Sequence, residues 1–307
     1  MILDTFFFIF IGLLLRILLV TVGIPTEKID STRDRINYFV FYYIIPIICF
    51  KTTYTMPLTL NHFKVSFVAI LTIISCIIIS SFIYRKIFSI SSEVLGSVII
   101  SSSFGNVLYI GLPVLTKLYG EQGISYALTY DLFASTPLVW SIAVAICMKY
   151  GYAKSYSFKD SFPTIIRIPA IWGLLVGLIF RKMGIYLPDE LIIVFKKLSS
   201  HVTYLMLLIV GVSIKTVSFH RFMLLLPAIA VKIIISPLLG LFFATVTGLS
   251  DIPYNVCIIQ AGMPTMLMSM IFARIFGTDL RTSVEMIFFT TVGFFLLHYF
   301  YVNFLTI

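Results

Sequence analysis

Polar positions are sparse along this chain, and they divide it into apolar stretches of about 18 or more residues, each long enough to cross a bilayer core as a helix. Ten can be marked: Ile2–Val22, Ile36–Thr53, Val65–Tyr84, Val94–Leu115, Ile124–Met148, Thr164–Met183, Leu191–Ile214, Phe222–Thr247, Pro253–Phe276 and Thr282–Thr306. Short polar connections such as 26–35 and 149–160 read as hairpin loops between neighbouring spans. The pattern predicts an all-α integral membrane protein. Ten spans divide into five plus five, and an odd number per half forces the second half to enter from the opposite side, an inverted repeat. The halves expected are 1–153, with the fourth helix at about 94–117, and 154–307, with its counterpart at about 253–276.

Composition supports this reading. Hydrophobic residues make up 60% of the 307 and charged residues 11%, against about 25% charged in soluble domains. So few polar side chains cannot cover a water-facing exterior, whereas lipid solvates an apolar one. The charge of +9 comes from scattered Lys and Arg with no basic, aromatic-interleaved run, so no nucleic-acid partner is expected. Cys49, Cys76, Cys147 and Cys257 lie singly in apolar stretches and read as small core residues. The first stretch lacks a basic flank and a cleavage site, and reads as a retained helix. Of the 22 Lys and Arg, the odd connections hold thirteen, while the even connections and termini hold seven, Lys51, Lys117, Lys196 and Lys197 among them. That excess puts the odd connections in the cytoplasm and both termini outside a cell membrane.

Two prolines stand out. Pro113 and Pro264 fall at nearly the same place in the fourth helix of their halves, each two residues after a glycine, Gly111 and Gly262. Paired interruptions in matching helices point to a transporter's binding site. The bland alternative is that glycine and proline are ordinary in membrane helices, and Pro46, Pro137, Pro227 and Pro237 lack matched partners.

The stretch FGNVLYIGLP (Phe104–Pro113) resembles the fourth-helix signature of the auxin efflux carrier family. GEQGISYALTYD (Gly120–Asp131) and AGMPTM (Ala261–Met266) resemble that family's next segment and its ninth-helix motif. The likeness covers the whole chain in length, helix count and motif order. Leu108 stands where members often have glycine, and Thr290–Thr291 are crowded by bulky Phe288, Phe289, Phe294 and Phe295. The resemblance implies a secondary carrier for organic anions, from dicarboxylates to auxin-like weak acids. In it two broken helices cross near the midplane, and a scaffold and a moving bundle rock to alternate access.

A broken helix exposes unpaired N–H groups and about half a positive charge at the start of its second segment, so two such ends can hold an anion without a buried Lys or Arg. The expected substrate-binding set is Asn106, Gly111, Pro113, Gln260, Gly262, Met263, Pro264 and Thr265, with the breaks at the prolines. Asn106 lies about two turns before Pro113 and offers donor and acceptor; Gln260 does the same before Pro264. Helix–helix hydrogen bonding is the competing reading for both amides. Asp131, about 13 Å deep by the helical rise, is costly in lipid unless paired or hydrated. A coupling or gating role is expected of it, the alternative being a structural pair with Lys232; Lys232 itself is a candidate to attract the anion. Arg16 is expected to snorkel to the membrane surface. No metal or cofactor is expected. The expected partners are a small organic anion, H+ or Na+ as coupling ion, lipid, and a second copy if the chain forms a homodimer. No paired acidic motif, nucleophile with its base, or phosphate-binding loop suggests an enzyme. A channel or sensor on the same scaffold is the rival class.

Overall fold

The computed structural model describes residues 2–56, 58–152, 168–214 and 219–300. Eleven helices run through them: α1 (Ile2–Thr21), α2 (Thr26–Thr55), α3 (Leu60–Ile87), α4 (Ser92–Ser103), α5 (Val107–Tyr150), α6 (Pro169–Lys182), α7 (Asp189–Ser213), α8 (Phe219–Val246), α9 (Asp251–Ala261), α10 (Met268–Phe276) and α11 (Leu280–Phe300). Gly120, at φ 56, bends α5 sharply. Six described helices are long and apolar enough to cross a membrane: α2, α3, α5, α7, α8 and α11. The described residues of the ten predicted apolar stretches are mostly helical, with non-helical interruptions in the fourth and ninth. The expected connection at 149–160, the boundary between halves at 153, the start of the sixth stretch and the end of the tenth lie partly or wholly outside the described residues.

Residues 26–35, expected as a loop, are helical and open α2. Hydropathy marks where lipid solvates a helix, not where its hydrogen-bonded ladder ends. Lys51, Lys117, Lys196 and Lys197, counted above as loop residues, likewise lie inside helices.

Four of the five π-helical turns among the described residues share one arrangement. Those at Val40–Ile44, Val107–Gly111, Asp131–Ser135 and Val231–Ile235 each end two residues before a proline: Pro46, Pro113, Pro137 and Pro237. Proline donates no N–H, and its ring collides with the carbonyl four residues back. A π turn widens the helix at that carbonyl and takes up the collision. The expectation that Pro113 breaks its helix is therefore corrected, because the helix runs through it.

The chain forms two compact units, each assembled from separate segments. The first comprises Met1–Thr59, Leu108–Leu128 and Ile166–Ile214. In it α6 lies close along α2: a Cβ at Gly173 would strike the backbone of Pro46, and one at Gly177 the Phe50 carbonyl and the Thr53 hydroxyl. Small residues four apart allow backbones to approach this closely in lipid. Thr53 Oγ1 donates to the Leu174 carbonyl across the same seam, at 3.0 Å. α1 and α7 meet in the same way through Gly12 and Gly211. Arg16 does not snorkel: it is 8% exposed and donates to Asp30 Oδ1 and the Val212 carbonyl, both at 2.8 Å. Lys51, buried in α2, ion-pairs with Glu121 just past the Gly120 bend. An apolar cleft of about 350 Å³ lies between Leu15, Leu19, Ile36, Leu205 and Leu208.

The second unit comprises Leu60–Val107, Thr129–Ile165 and Lys215–Ile307. One buried cluster gathers Ile73, Phe104, Val144, Met266 and Phe272, and a second gathers Tyr84, Val98, Leu225, Met286 and Phe289. The Tyr84 hydroxyl enters the α8 ladder beside Pro227, donating to the Leu224 carbonyl at 2.8 Å and accepting the Ala228 N–H at 3.1 Å. Near the ends of α8 and α11, Arg221, Asp279, Arg281 and Glu285 form a network of ion pairs.

Replacing Tyr84 by Phe strands both α8 groups in an apolar core, at about 1–3 kcal/mol for an unmet buried polar group. Tyr84→Phe is expected to lower the melting temperature of purified protein by several degrees; an unchanged melt shows that the ladder closes without the hydroxyl.

Candidate functional site

The site of interest is where helices stop. α4 ends at Ser103 and α5 begins at Val107, leaving Phe104, Gly105 and Asn106 outside helix. α9 ends at Ala261 and α10 begins at Met268, leaving Gly262–Leu267 as the second interruption. Pro264 lies inside its break, as expected. The first break lies at Gly105, well before Pro113.

Both interruptions belong to the second unit, and they pair. Gly105 and Thr265 form an antiparallel bridge. The Asn106 N–H donates to the Pro264 carbonyl at 2.6 Å, and the Met266 N–H to the Phe104 carbonyl at 3.1 Å. Non-helical backbone at membrane depth persists only where protein or water satisfies its polar groups. Here each break supplies partners to the other, and side chains add to them. The Thr265 N–H donates to Thr290 Oγ1 at 3.0 Å, and Thr265 Oγ1 to the Ser101 carbonyl at 2.6 Å. Gln260 Nε2 donates to the Val107 carbonyl at 3.3 Å. Pro264 itself brings no N–H that needs a partner.

Lys232 lies beside this bridge, 1% exposed, in the π turn of α8. Its Nζ donates to the carbonyl of Ala261, the last residue of α9, at 2.8 Å, and reaches Ser236 Oγ at 3.5 Å. Ser236 Oγ donates to that same carbonyl at 2.8 Å. A Cβ on Gly105 would come within 3.3 Å of both Lys232 Nζ and the Met263 carbonyl, so a side-chain-free residue there leaves room for the ammonium.

The structure thus gathers Asn106, Gln260, Gly262, Met263, Pro264, Thr265 and Lys232 around one backbone crossing. Asn106 is 4% exposed and Gln260 fully buried, with Gln260 Oε1 left without a hydrogen-bond partner. Gly111 and Pro113 belong to the first unit. Asp131 opens its own π turn, is 7% exposed and accepts from Thr136 Oγ1 at 3.1 Å. It does not pair with Lys232, which removes the structural pairing considered above.

Sequence reasoning missed Gly105, Ser101, Ser236 and Thr290 as parts of the crossing. Thr290 carried a signal, a hydroxyl among phenylalanines. Ser236 lies one turn after Lys232, the spacing at which two side chains share a helix face.

These features define a multi-spanning membrane protein in which two interrupted helices complete each other's backbone beside a buried cation. Residues 29–302 match the family described as membrane transport protein, and the chain belongs to this family, the auxin efflux carriers its motifs resemble. It is a family of transporters, not of enzymes. A protein of Methanocaldococcus jannaschii named as an uncharacterized transporter is 25% identical over 295 residues, covering 91% of this chain and 92% of that one. A second, from Methanothermobacter thermautotrophicus and also named an uncharacterized transporter, is 22% identical over 301 residues, 94% and 93% of the two chains.

Thr290→Val keeps the shape of the side chain and removes the acceptor for the Thr265 N–H. The variant is expected to melt several degrees lower, in keeping with about 1–3 kcal/mol for one orphaned buried donor, whereas Thr290→Ser is expected to retain most of the stability. Equal melting of the two variants counts against the bond.

Proposed function

We propose that this protein is a secondary active transporter that moves a small organic anion, such as a dicarboxylate or an auxin-like weak acid, by alternating access. The observation that carries the reading is the backbone pairing of the two interrupted helices at Gly105 and Thr265. A crossing of this kind places polar backbone, two amides and an ammonium inside an otherwise apolar protein, a costly arrangement of the sort that marks functional sites in membranes. Anions suit the chemistry: the first N–H groups of α10 carry partial positive charge, and Lys232 has no carboxylate partner among the described residues. Asn106 and Gln260 supply directional hydrogen bonds to a carboxylate. Gln260 Oε1 takes a donor from substrate or a bound water.

The composition of the units also supports ten spans in two inverted halves, cut near Ala153. The first unit takes α1 and α2 from one half and α6 and α7 from the other; the second takes α3 and α4 together with α8 to α11. An inverted repeat would distribute equivalent helices to the same unit in this way. The first unit then serves as scaffold and the second as the moving bundle, in a cell membrane with both termini extracytoplasmic. Asp131, without a cationic partner among the described residues and placed in a π turn, is assigned proton coupling or gating, since intramembrane carboxylates often relay protons and π turns cluster at functional sites.

Purified protein in vesicles preloaded with a dicarboxylate or indole acid is expected to show saturable uptake and counterflow of the labelled anion; a linear flux without counterflow identifies a channel instead. Asn106→Ala and Pro264→Ala are each expected to reduce uptake at least about tenfold, the scale of 1.4 kcal/mol, with normal amounts of protein in the membrane. Wild-type rates in both variants would remove the crossing from the transport path. Asp131→Asn is expected to alter the dependence of uptake on pH, since intramembrane carboxylates often relay protons; an unaltered profile takes Asp131 out of the coupling scheme.

A further inference from the structure

α9 stops at Ala261, and its last carbonyls carry the negative end of the helix dipole into the interior of the second unit. Two of those carbonyls turn back along the chain: the Ile258 carbonyl accepts the Gly262 N–H at 3.0 Å, and the Gln260 carbonyl accepts the Met263 N–H at 3.2 Å. The Ala261 carbonyl is met by Lys232 Nζ and by Ser236 Oγ, both at 2.8 Å. A backbone carbonyl at a helix C-terminus and a serine oxygen about one helical turn from the cation-bearing position are the oxygen ligands a hard alkali cation would seek. Here the ammonium head of Lys232 already holds both oxygens.

We propose that Lys232 is the resident cation of the crossing, standing where a coupling metal ion would otherwise bind, so that neither Na+ nor K+ is needed to complete the site. The inference rests on the transporter reading above and narrows it, assigning coupling to protons or to substrate exchange. Three observations carry it. Lys232 is almost wholly buried, a costly placement unless its charge is used. Its hydrogen-bond partners among the described residues are neutral oxygens, so its positive charge offsets a helix end with no carboxylate there to cancel it. Gly105 leaves the space in front of Nζ free of a side chain, which lets the ammonium sit against the bridge itself.

The test needs no transported anion. Wild-type protein in detergent is melted in sodium, potassium and choline chloride at equal ionic strength. The three melting temperatures are expected to agree within about 1 °C, since a filled site gains nothing from added cation. Lys232→Ala empties the position and leaves the two oxygens, and Lys232→Met keeps the side-chain length without charge. Both variants are expected to melt lower in choline, and Lys232→Ala is expected to recover by about 3 °C or more in sodium or methylammonium chloride. Lys232→Met, with the space still filled, is expected to recover less. A sodium-specific rise in the wild type overturns the proposal, as does a Lys232→Ala protein indifferent to every small cation. If neither variant folds, the wild-type comparison decides alone. Sodium stabilisation of the wild type would leave the carrier reading standing, whereas loss of counterflow would remove that reading without altering these melts.

Discussion

Backbone hydrogen bonding without water is the constraint on which the second unit depends. Inside a bilayer every N–H and C=O needs a partner from protein, and a continuous helix supplies one automatically. This chain departs from that solution twice, at Phe104–Asn106 and at Gly262–Leu267, and the two departures are mutually dependent. The Asn106 and Met266 N–H groups find carbonyls on the opposite break, and Thr290 takes the Thr265 N–H. Neither interruption could persist alone at this depth. Where they meet, the protein gains a patch of polar backbone that no straight helix could present.

Lys232 and Asp131 both lie in π turns, where the helix is locally wider. The prolines that follow these turns, Pro237 and Pro137, belong to the same local geometry. Proline thus does two different jobs in this fold. At Pro264 it stands within a break and presents no donor in need of a partner. At Pro46, Pro113, Pro137 and Pro237 it follows a π turn, and the helix continues through it.

The first unit depends on close approach instead. Gly173 and Gly177 bring α6 against the backbone of α2, and Gly12 and Gly211 bring α1 against α7. In lipid no hydrophobic force drives helices together, so van der Waals contact between closely packed backbones supplies the attraction. Its charges are internally matched, Arg16 to Asp30 and Lys51 to Glu121. Such pairing leaves this unit without an uncompensated buried charge at those positions, in contrast to Lys232 in the other.

How much of this was legible beforehand follows from what each feature depends on. Membrane residence and the placing of helices follow from local composition, because about 18 apolar residues in sequence span lipid whatever their neighbours do. The motif around Asn106 and the one around Pro264 marked the two segments that matter. The Gly173-x-x-x-Gly177 spacing takes on meaning only once the structure sets α6 against α2. The exact break was not legible: Gly105 and Pro113 both stand in a Gly- and Pro-bearing stretch, and only the partner strand at Thr265 decides which position leaves the helix. The partners of Lys232, Arg16 and Lys51 were hidden for the same reason. Their oxygens lie 29, 14 and 70 residues away along the chain, in Ala261, Asp30 and Glu121. Local sequence therefore determined which segments enter lipid, and tertiary structure decided which of their polar groups meet, because a buried charge or an open backbone is satisfied only by atoms that folding brings to it.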